Sequence, residues 1–357
     1  MSGDPLSREA IAAVDPQGMI LDVLAQPLQL GDALWRAQSA DIPTRDLPGG
    51  LVVCGMGGSA IGGDLAAAAL GDRATRQIST IRGYGLEPWT PPDTLVLCAS
   101  YSGGTEETLA CFESAGAVGA GRVVLTTGGA LAGAARAERV PVIGVPAGMP
   151  PRAAVLYMTI GALECAAACG AAPEIHGEIE AGGSLLERLV EAWGPDSAAD
   201  SQAKAIAHAL DGTIPVVHGA GPTVAAARRW TTQFHENAEQ AAFVSELPET
   251  DHNEICGWER ARREAPLSAV FLEDPDHHPR VRRRIDLTVA EVERAGATAI
   301  RVDSRGESRL ERILSLVLLG DLVSVYLAVL AGVDPTPTDA LDRVKAGMRA
   351  SDALPSH

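Results

Sequence analysis

Short apolar runs alternate with longer helical stretches through most of this chain, and that alternation limits its fold more than any other feature. Leu51–Cys54, Gln77–Arg82, Thr94–Cys98, Arg122–Thr126 and Val140–Val145 read as strands, and 59–70, 105–119, 129–138 and 152–170 read as helices. Strands separated by helices pair in parallel, because the helical crossover brings each new strand back to the same end of the sheet. The pattern restarts with strands at Pro215–His218, Ser268–Leu272 and Thr298–Val302 and helices at Thr223–Gln240, Val281–Ala295 and Ser308–Ala331. The expected fold is α/β, with two doubly wound parallel-sheet domains. We place a helical extension at 1–48, interrupted at Pro16, Pro27 and Pro43, a first domain at 49–172 and a second at 200–357. A stretch near 172–200, with Gly182, Gly183, Gly194 and Pro195 around a polar helix of its own, reads as the linker that joins them. Each domain opens on a strand that ends in glycine, Gly55 or Gly219, and then a helix, which suggests a distant structural copy. A chain of 357 residues is long enough for two such cores.

Composition narrows the partners. A net charge of −17 argues against nucleic acid and anionic membrane surfaces. It leaves phosphorylated small molecules open, because a local cradle of N–H groups and one or two basic residues overrides the global field. Aromatic residues make up only 4%, so platforms for stacking bases are scarce. The longest apolar run, Ile313–Leu330, is broken by Gly320, Asp321 and Ser324 and reads as a core helix, not a membrane span. Met1–Asp15 is polar and lacks a signal-peptide layout, and the six scattered cysteines read as free thiols, so the expected location is the cytoplasm. Cys165 with Cys169, and His252 with Cys256, are each four apart, but a zinc site drawn from them matches no ordinary ligand motif, and no metal is expected.

Two strand-to-helix turns carry the chemistry. Ala99-Ser100-Tyr101-Ser102-Gly103-Gly104-Thr105 offers hydroxyls and flexible backbone at a helix start, where free N–H groups and the helix dipole suit a phosphate. It has no lysine, so it is not a Walker-type loop, and a sugar phosphate fits it better than a triphosphate. The earlier turn, Gly55-Met56-Gly57-Gly58-Ser59-Ala60, satisfies the G-x-G-x-x-A dinucleotide pattern, so a nicotinamide enzyme is an alternative. Against it, Arg82 and Gly83 stand where the ribose-binding acid would follow the second strand.

Gly-Met-Gly-Gly-Ser followed by Ser-Tyr-Ser-Gly-x-Thr-Glu-Glu-Thr resembles the sugar isomerase (SIS) domain. More narrowly, the chain resembles the bifunctional phosphoglucose/phosphomannose isomerase family. The matching pieces of its second half are His235-Glu236-Asn237-Ala238, Leu247-Pro248-Glu249, His252-Asn253-Glu254-Ile255-Cys256-Gly257 and Pro337-Thr338-Asp339-Ala340-Leu341-Asp342-Arg343-Val344-Lys345. The resemblance runs from about residue 50 to 350. Two positions depart from it: Gly104 stands where Asn is common, and Glu239 where Lys often follows Glu-Asn-Ala.

The resemblance implies a cofactor-free aldose–ketose isomerase that interconverts glucose 6-phosphate and mannose 6-phosphate with fructose 6-phosphate through an enediolate. Such chemistry needs a base, a cation beside the developing oxyanion, and groups that open the sugar ring. Glu236 lies in a long helical segment where partial desolvation would favour proton uptake, and it is the implied base. Arg152 is the implied enediolate-stabilising cation. His252 is implied in ring opening, reaching across a dimer interface, with Asn253 and Glu254 orienting its loop. Lys345, two helical turns after Thr338 and on the same face, is implied to contact the sugar ring. Thr338 is implied to be the specificity residue, small enough for the intermediate to turn about C2–C3. Gly57, Gly58, Ser59, Ser100, Ser102 and Thr105 are the expected phosphate-binding residues. A homodimer, and a place in glycolysis and gluconeogenesis, follow from the resemblance alone. A sugar-phosphate sensor on the same fold would need only the phosphate turns.

Overall fold

Leu51–Cys54 is buried along its whole length, as a central parallel strand covered on both faces must be. The computed structural model describes residues 4–351. Three helices come first, α1 (Arg8–Val14), α2 (Met19–Leu24) and α3 (Gln26–Gln38). The first sheet follows as β1 (Leu51–Cys54), α4 (Gly57–Leu70), β2 (Ile78–Ile81), β3 (Leu95–Ala99), α5 (Glu106–Ala117), β4 (Gly121–Thr126), α6 (Gly129–Glu138) and β5 (Val142–Gly144). Then come α7 (Val155–Ala168), α8 (His176–Trp193) and α9 (Gln202–Leu210). The second sheet is β6 (Ile214–Ala220), α10 (Val224–Ala238), β7 (Phe243–Leu247), α11 (Trp258–Glu264), β8 (Leu267–Glu273), α12 (Pro279–Arg294) and β9 (Thr298–Asp303), followed by α13 (Arg309–Ala331) and α14 (Asp339–Ser351).

Both sheets are parallel throughout, in the orders β2-β1-β3-β4-β5 and β7-β6-β8-β9. The second repeats the order of the first four strands of the first, as the glycine-ended opening strands suggest.

Three local expectations change. Helix was expected up to residue 48, but α3 ends at Gln38. Residues 41–47 instead have no regular secondary structure, and the N–H groups of Arg45 and Leu47 donate to the carbonyls of Ala168 and Cys169. Pro43 and Pro48 explain this, since neither can continue a helix. The stretch near 172–200 is occupied by α8, which buries Ile179, Leu185, Leu186, Leu189 and Trp193 and packs on α3 and α13. It belongs to a core cluster that runs from Leu6 to Val329 across both sheets. Strand β7 is new: as an edge strand it buries only Ser245 and Leu247, so no continuous apolar run marks it.

Helix α13 is apolar and long enough to cross a membrane, but 94% of its most apolar window is buried inside the protein. It is the helix around which both halves pack.

Candidate active site

In the order β2-β1-β3, the chain leaves β1 toward one side of the sheet and β3 toward the other. The carboxyl ends of those two strands therefore frame a crevice at the switch point. The turns after β1 and β3 meet there: Ser59 Oγ accepts from the Tyr101 N–H at 3.3 Å. Ser100 and Thr105 join hydroxyls at 2.8 Å, and Ser100 Oγ also accepts from the Gly103 N–H at 3.1 Å. Gly103 has φ +66°, and a Cβ there would lie 1.8 Å from the Gly128 carbonyl oxygen, so only glycine closes this loop. Helices α4 and α5 begin at these turns without a side-chain cap. Their first N–H groups are thus available to an anion. Ser102 and Gly57 are exposed at the mouth. A Cβ on Gly104 would meet nothing closer than Ser102 Oγ at 3.9 Å, so the loop has room for either glycine or the family's asparagine here.

Arg152 enters from the turn Pro151–Ala154 that leads into α7. Its backbone abuts the β1–α4 turn: a Cβ on Gly58 would lie 3.2 Å from Arg152 Cα. The side chain is buried. Its Nε donates to Asn237 Oδ1 at 2.6 Å, and its Nη2 donates to the carbonyls of Pro335 (2.5 Å) and Thr336 (2.9 Å). Nη1 lies 3.5 Å from Glu236 Oε2, and Glu236 keeps about a quarter of its side chain exposed (27%). Burial lowers the proton affinity of the guanidinium, with the Arg229 cation adding to it and Glu236, Asp22 and Asp334 opposing. An arginine so shifted is still a cation at neutral pH. The C-terminal turn of α10 thus faces the first sheet's crevice, with a cation and a carboxylate side by side.

Of the other expected residues, Thr338 stands at the start of α14, where its carbonyl accepts from the Asp342 N–H, two residues past the Arg152 contact at Thr336. Lys345 is exposed on α14, 3.8 Å from Asp342. His252 is exposed at the end of the turn Glu249–His252. Among the described residues neither His252 nor Lys345 forms an ion pair with Glu236. The His252 loop is pinned on two sides. Asp251 accepts from Arg284 (2.9 Å) and Thr288 (2.7 Å) on α12. Glu254 accepts from His218 (3.2 Å) and Ser245 (2.5 Å), which pull its pKa down past the upward push of burial. Asn253 donates to Glu249 and accepts from the Glu254 N–H, each at 2.6 Å. Glu239 caps α10 in a left-handed conformation, exposed, beyond the last turn. Arg82 is salt-bridged to Asp64 of α4.

Sequence reasoning passed over Asn237, Arg229, Asp321 and Ser324, all buried behind Arg152. The signal was present: Asp321 and Ser324 are polar residues three apart in an otherwise apolar helix. They register there only as interruptions.

Comparison with known proteins places these observations in a family. Residues 199–348 match the family described as bacterial phospho-glucose isomerase C-terminal SIS domain. The bifunctional phosphoglucose/phosphomannose isomerase of Caldicellulosiruptor bescii is 34% identical over 325 residues, 90% of this chain and 96% of that protein. The protein of the same name from Aquifex aeolicus is 35% identical over 302 residues, 84% of this chain and 90% of the relative. Among solved structures, hypothetical protein TT0462 of Thermus thermophilus superposes with a TM-score of 0.75 at 17% identity, covering 98% of this chain and 95% of that one.

Proposed function

The chain belongs to the bifunctional phosphoglucose/phosphomannose isomerase family and interconverts glucose 6-phosphate and mannose 6-phosphate with fructose 6-phosphate, and we propose that it does so with Glu236 as base over the crevice between β1 and β3. One observation carries this assignment of the site. The β1–α4 turn abuts Arg152 at Gly58, and the Arg152 guanidinium reaches Glu236 at 3.5 Å. A phosphate handle, a cation and a base therefore converge from three distant parts of the chain.

In this reading Ser59, Ser100, Ser102 and Thr105, with the N–H groups that start α4 and α5 at Gly57 and Gly58 and after Thr105, bind the 6-phosphate. Binding energy at that remote group holds C1 and C2 against the base. Glu236 removes the proton from C2 of the aldose and returns it to C1 of the ketose. Arg152 stabilises the negative oxygen of the enediolate between those steps. Lys345 and His252 assist ring opening. Thr338 is small, which leaves room for rotation about C2–C3 and so for both epimers. The full set of base, cation and ring-opening groups favours an enzyme over a sensor.

Among the described residues His252 is exposed and makes no ion pair with Glu236 within one chain, in keeping with a homodimer in which each subunit lends its histidine to the other's site. The free thiols, five of them buried, suit a reducing compartment such as the cytoplasm. A role in glycolysis and gluconeogenesis follows from the substrates.

The test is Glu236→Gln in a coupled assay with each hexose 6-phosphate. Turnover should fall by roughly three orders of magnitude with substrate binding retained. Full activity would remove Glu236 as the base. Mixing this variant with inactive His252→Ala protein should restore part of the activity. Failure to do so would count against a shared site.

A further inference from the structure

We propose that Ser324 and Asp321, one turn apart on α13, are positioning residues that fix the orientation of Arg152. The inference rests on the role of Arg152 given above and adds what determines where its donors point.

A serine hydroxyl has a single proton. That of Ser324 is committed to the Asp321 carbonyl of its own helix, at 2.7 Å. Toward Asn237, 2.8 Å away, Ser324 Oγ can therefore only accept, and the Asn237 amide must turn its NH2 to α13. The carbonyl end of the same amide then faces Arg152 Nε at 2.6 Å. The reversed amide would set NH2 against the guanidinium and a carbonyl oxygen against the Ser324 lone pairs, two repulsions in place of two bonds. One buried hydroxyl thus sets the polarity of a chain that runs from the Asp321 carbonyl through Ser324 and Asn237 to Arg152.

The Asp321 side chain holds the other end of the arginine. Its Oδ2 accepts from Arg229 Nη2 at 2.7 Å and from Gln26 Nε2 at 2.6 Å. The same Arg229 nitrogen donates to the Arg152 backbone carbonyl at 3.0 Å. Backbone and guanidinium of Arg152 are therefore both anchored to one turn of α13, through two independent lines. Asp321 and Ser324 are almost wholly enclosed, at 1% and 0% exposure. Both act through other residues.

The experiment compares Ser324→Ala with Ser315→Ala and Arg152→Lys in the full-length enzyme, reading kcat and KM for fructose 6-phosphate. Ser315 is a matched control on the same helix. It is equally buried, and its hydroxyl likewise donates to a carbonyl three residues back, at 2.7 Å from Arg312 O. Ser324→Ala should lower kcat about 10-fold with KM within about twofold, because a small misplacement of a catalytic group is costly. Ser315→Ala should leave kcat unchanged. Asn237→Asp provides a second variant, since a carboxylate keeps the shape but cannot donate to Ser324. It should also lower kcat by at least about 10-fold. If Ser324→Ala and Asn237→Asp turn over like the parent while Arg152→Lys is impaired, or if Ser315→Ala loses as much as Ser324→Ala, the positioning role is overturned. If Arg152→Lys itself keeps full activity, the reading of the site falls and takes the inference with it.

Discussion

The two sheets share a strand order, yet their switch-point crevices have opposite contents. Between β1 and β3 the turns offer hydroxyls, uncapped helix starts and a glycine that only glycine can be. Between β6 and β8 the corresponding space is filled by the protein itself. Thr223 Oγ1 accepts from the Ala220 N–H at 2.9 Å and donates across to the Leu272 carbonyl at 3.0 Å. Beyond β8, Asp274 accepts from Arg312 (3.0 Å) and Ser304 (2.8 Å), while Asp276 accepts from Arg312 (2.6 Å) and Arg309 (3.0 Å). Two carboxylates with their arginines cannot accept a phosphate. The same topology thus leaves uncapped helix starts at one crevice and builds a structural clamp at the other. Fold places the crevice, and side-chain chemistry decides its use.

Removing the clamp should give the largest effect on stability. Arg312→Ala leaves the Asp274 carboxylate, its side chain 1% exposed, without its cationic partner and should cost about 3 kcal/mol in urea unfolding, with kcat per folded molecule unchanged. A comparable loss of kcat would show that both crevices serve catalysis and would break the contrast. The phosphate side should respond in the opposite sense. Replacing Ser100, Ser102 and Thr105 together with alanine should raise KM, lower kcat, and reduce kcat/KM by roughly 100-fold, for a stability cost of about 1 kcal/mol. Unaltered substrate affinity would mean that the phosphate binds elsewhere. The smallest effect concerns pH. Burial pushes the Asp276 carboxyl up, but the Arg309 hydrogen bond and the charges of Arg312 and Arg309 outweigh it, so its pKa lies below the ordinary 3.8. A carboxylate lowered in the folded state stabilises above its unfolded pKa and loses that contribution as pH falls through the folded value. The stability gap between the parent and Asp276→Asn should therefore be present at neutral pH and close below about pH 4. A gap constant across that range would assign Asp276 no electrostatic part in the clamp.

The legible and illegible parts of this chain divide along the same line. Strands such as Leu95–Ala99, buried on both faces, announce themselves as apolar runs, and the turns after them announce themselves as glycine and hydroxyl clusters. Strand β7 and the clamp do not, because an edge strand alternates and an ion pair between the turn after β8 and α13 is formed by residues more than thirty positions apart. Glu236 and Arg152 are legible only as members of a resembling motif. Nothing local to either residue says that they lie 3.5 Å apart.

By itself, then, the sequence determined the alternation of strand and helix, the two parallel sheets and the glycine- and hydroxyl-rich turns after Cys54 and Ala99. These depend on side-chain periodicity and backbone freedom within a few residues of one another. Only the tertiary structure decided that the C-terminal turn of α10 lies over the first crevice, and that the second crevice closes on its own arginine. It also decided that a serine and an aspartate inside the most apolar helix lie behind Arg152. Those facts depend on which buried polar groups find partners, and a buried donor or acceptor finds its partner through packing, not through its neighbours along the chain.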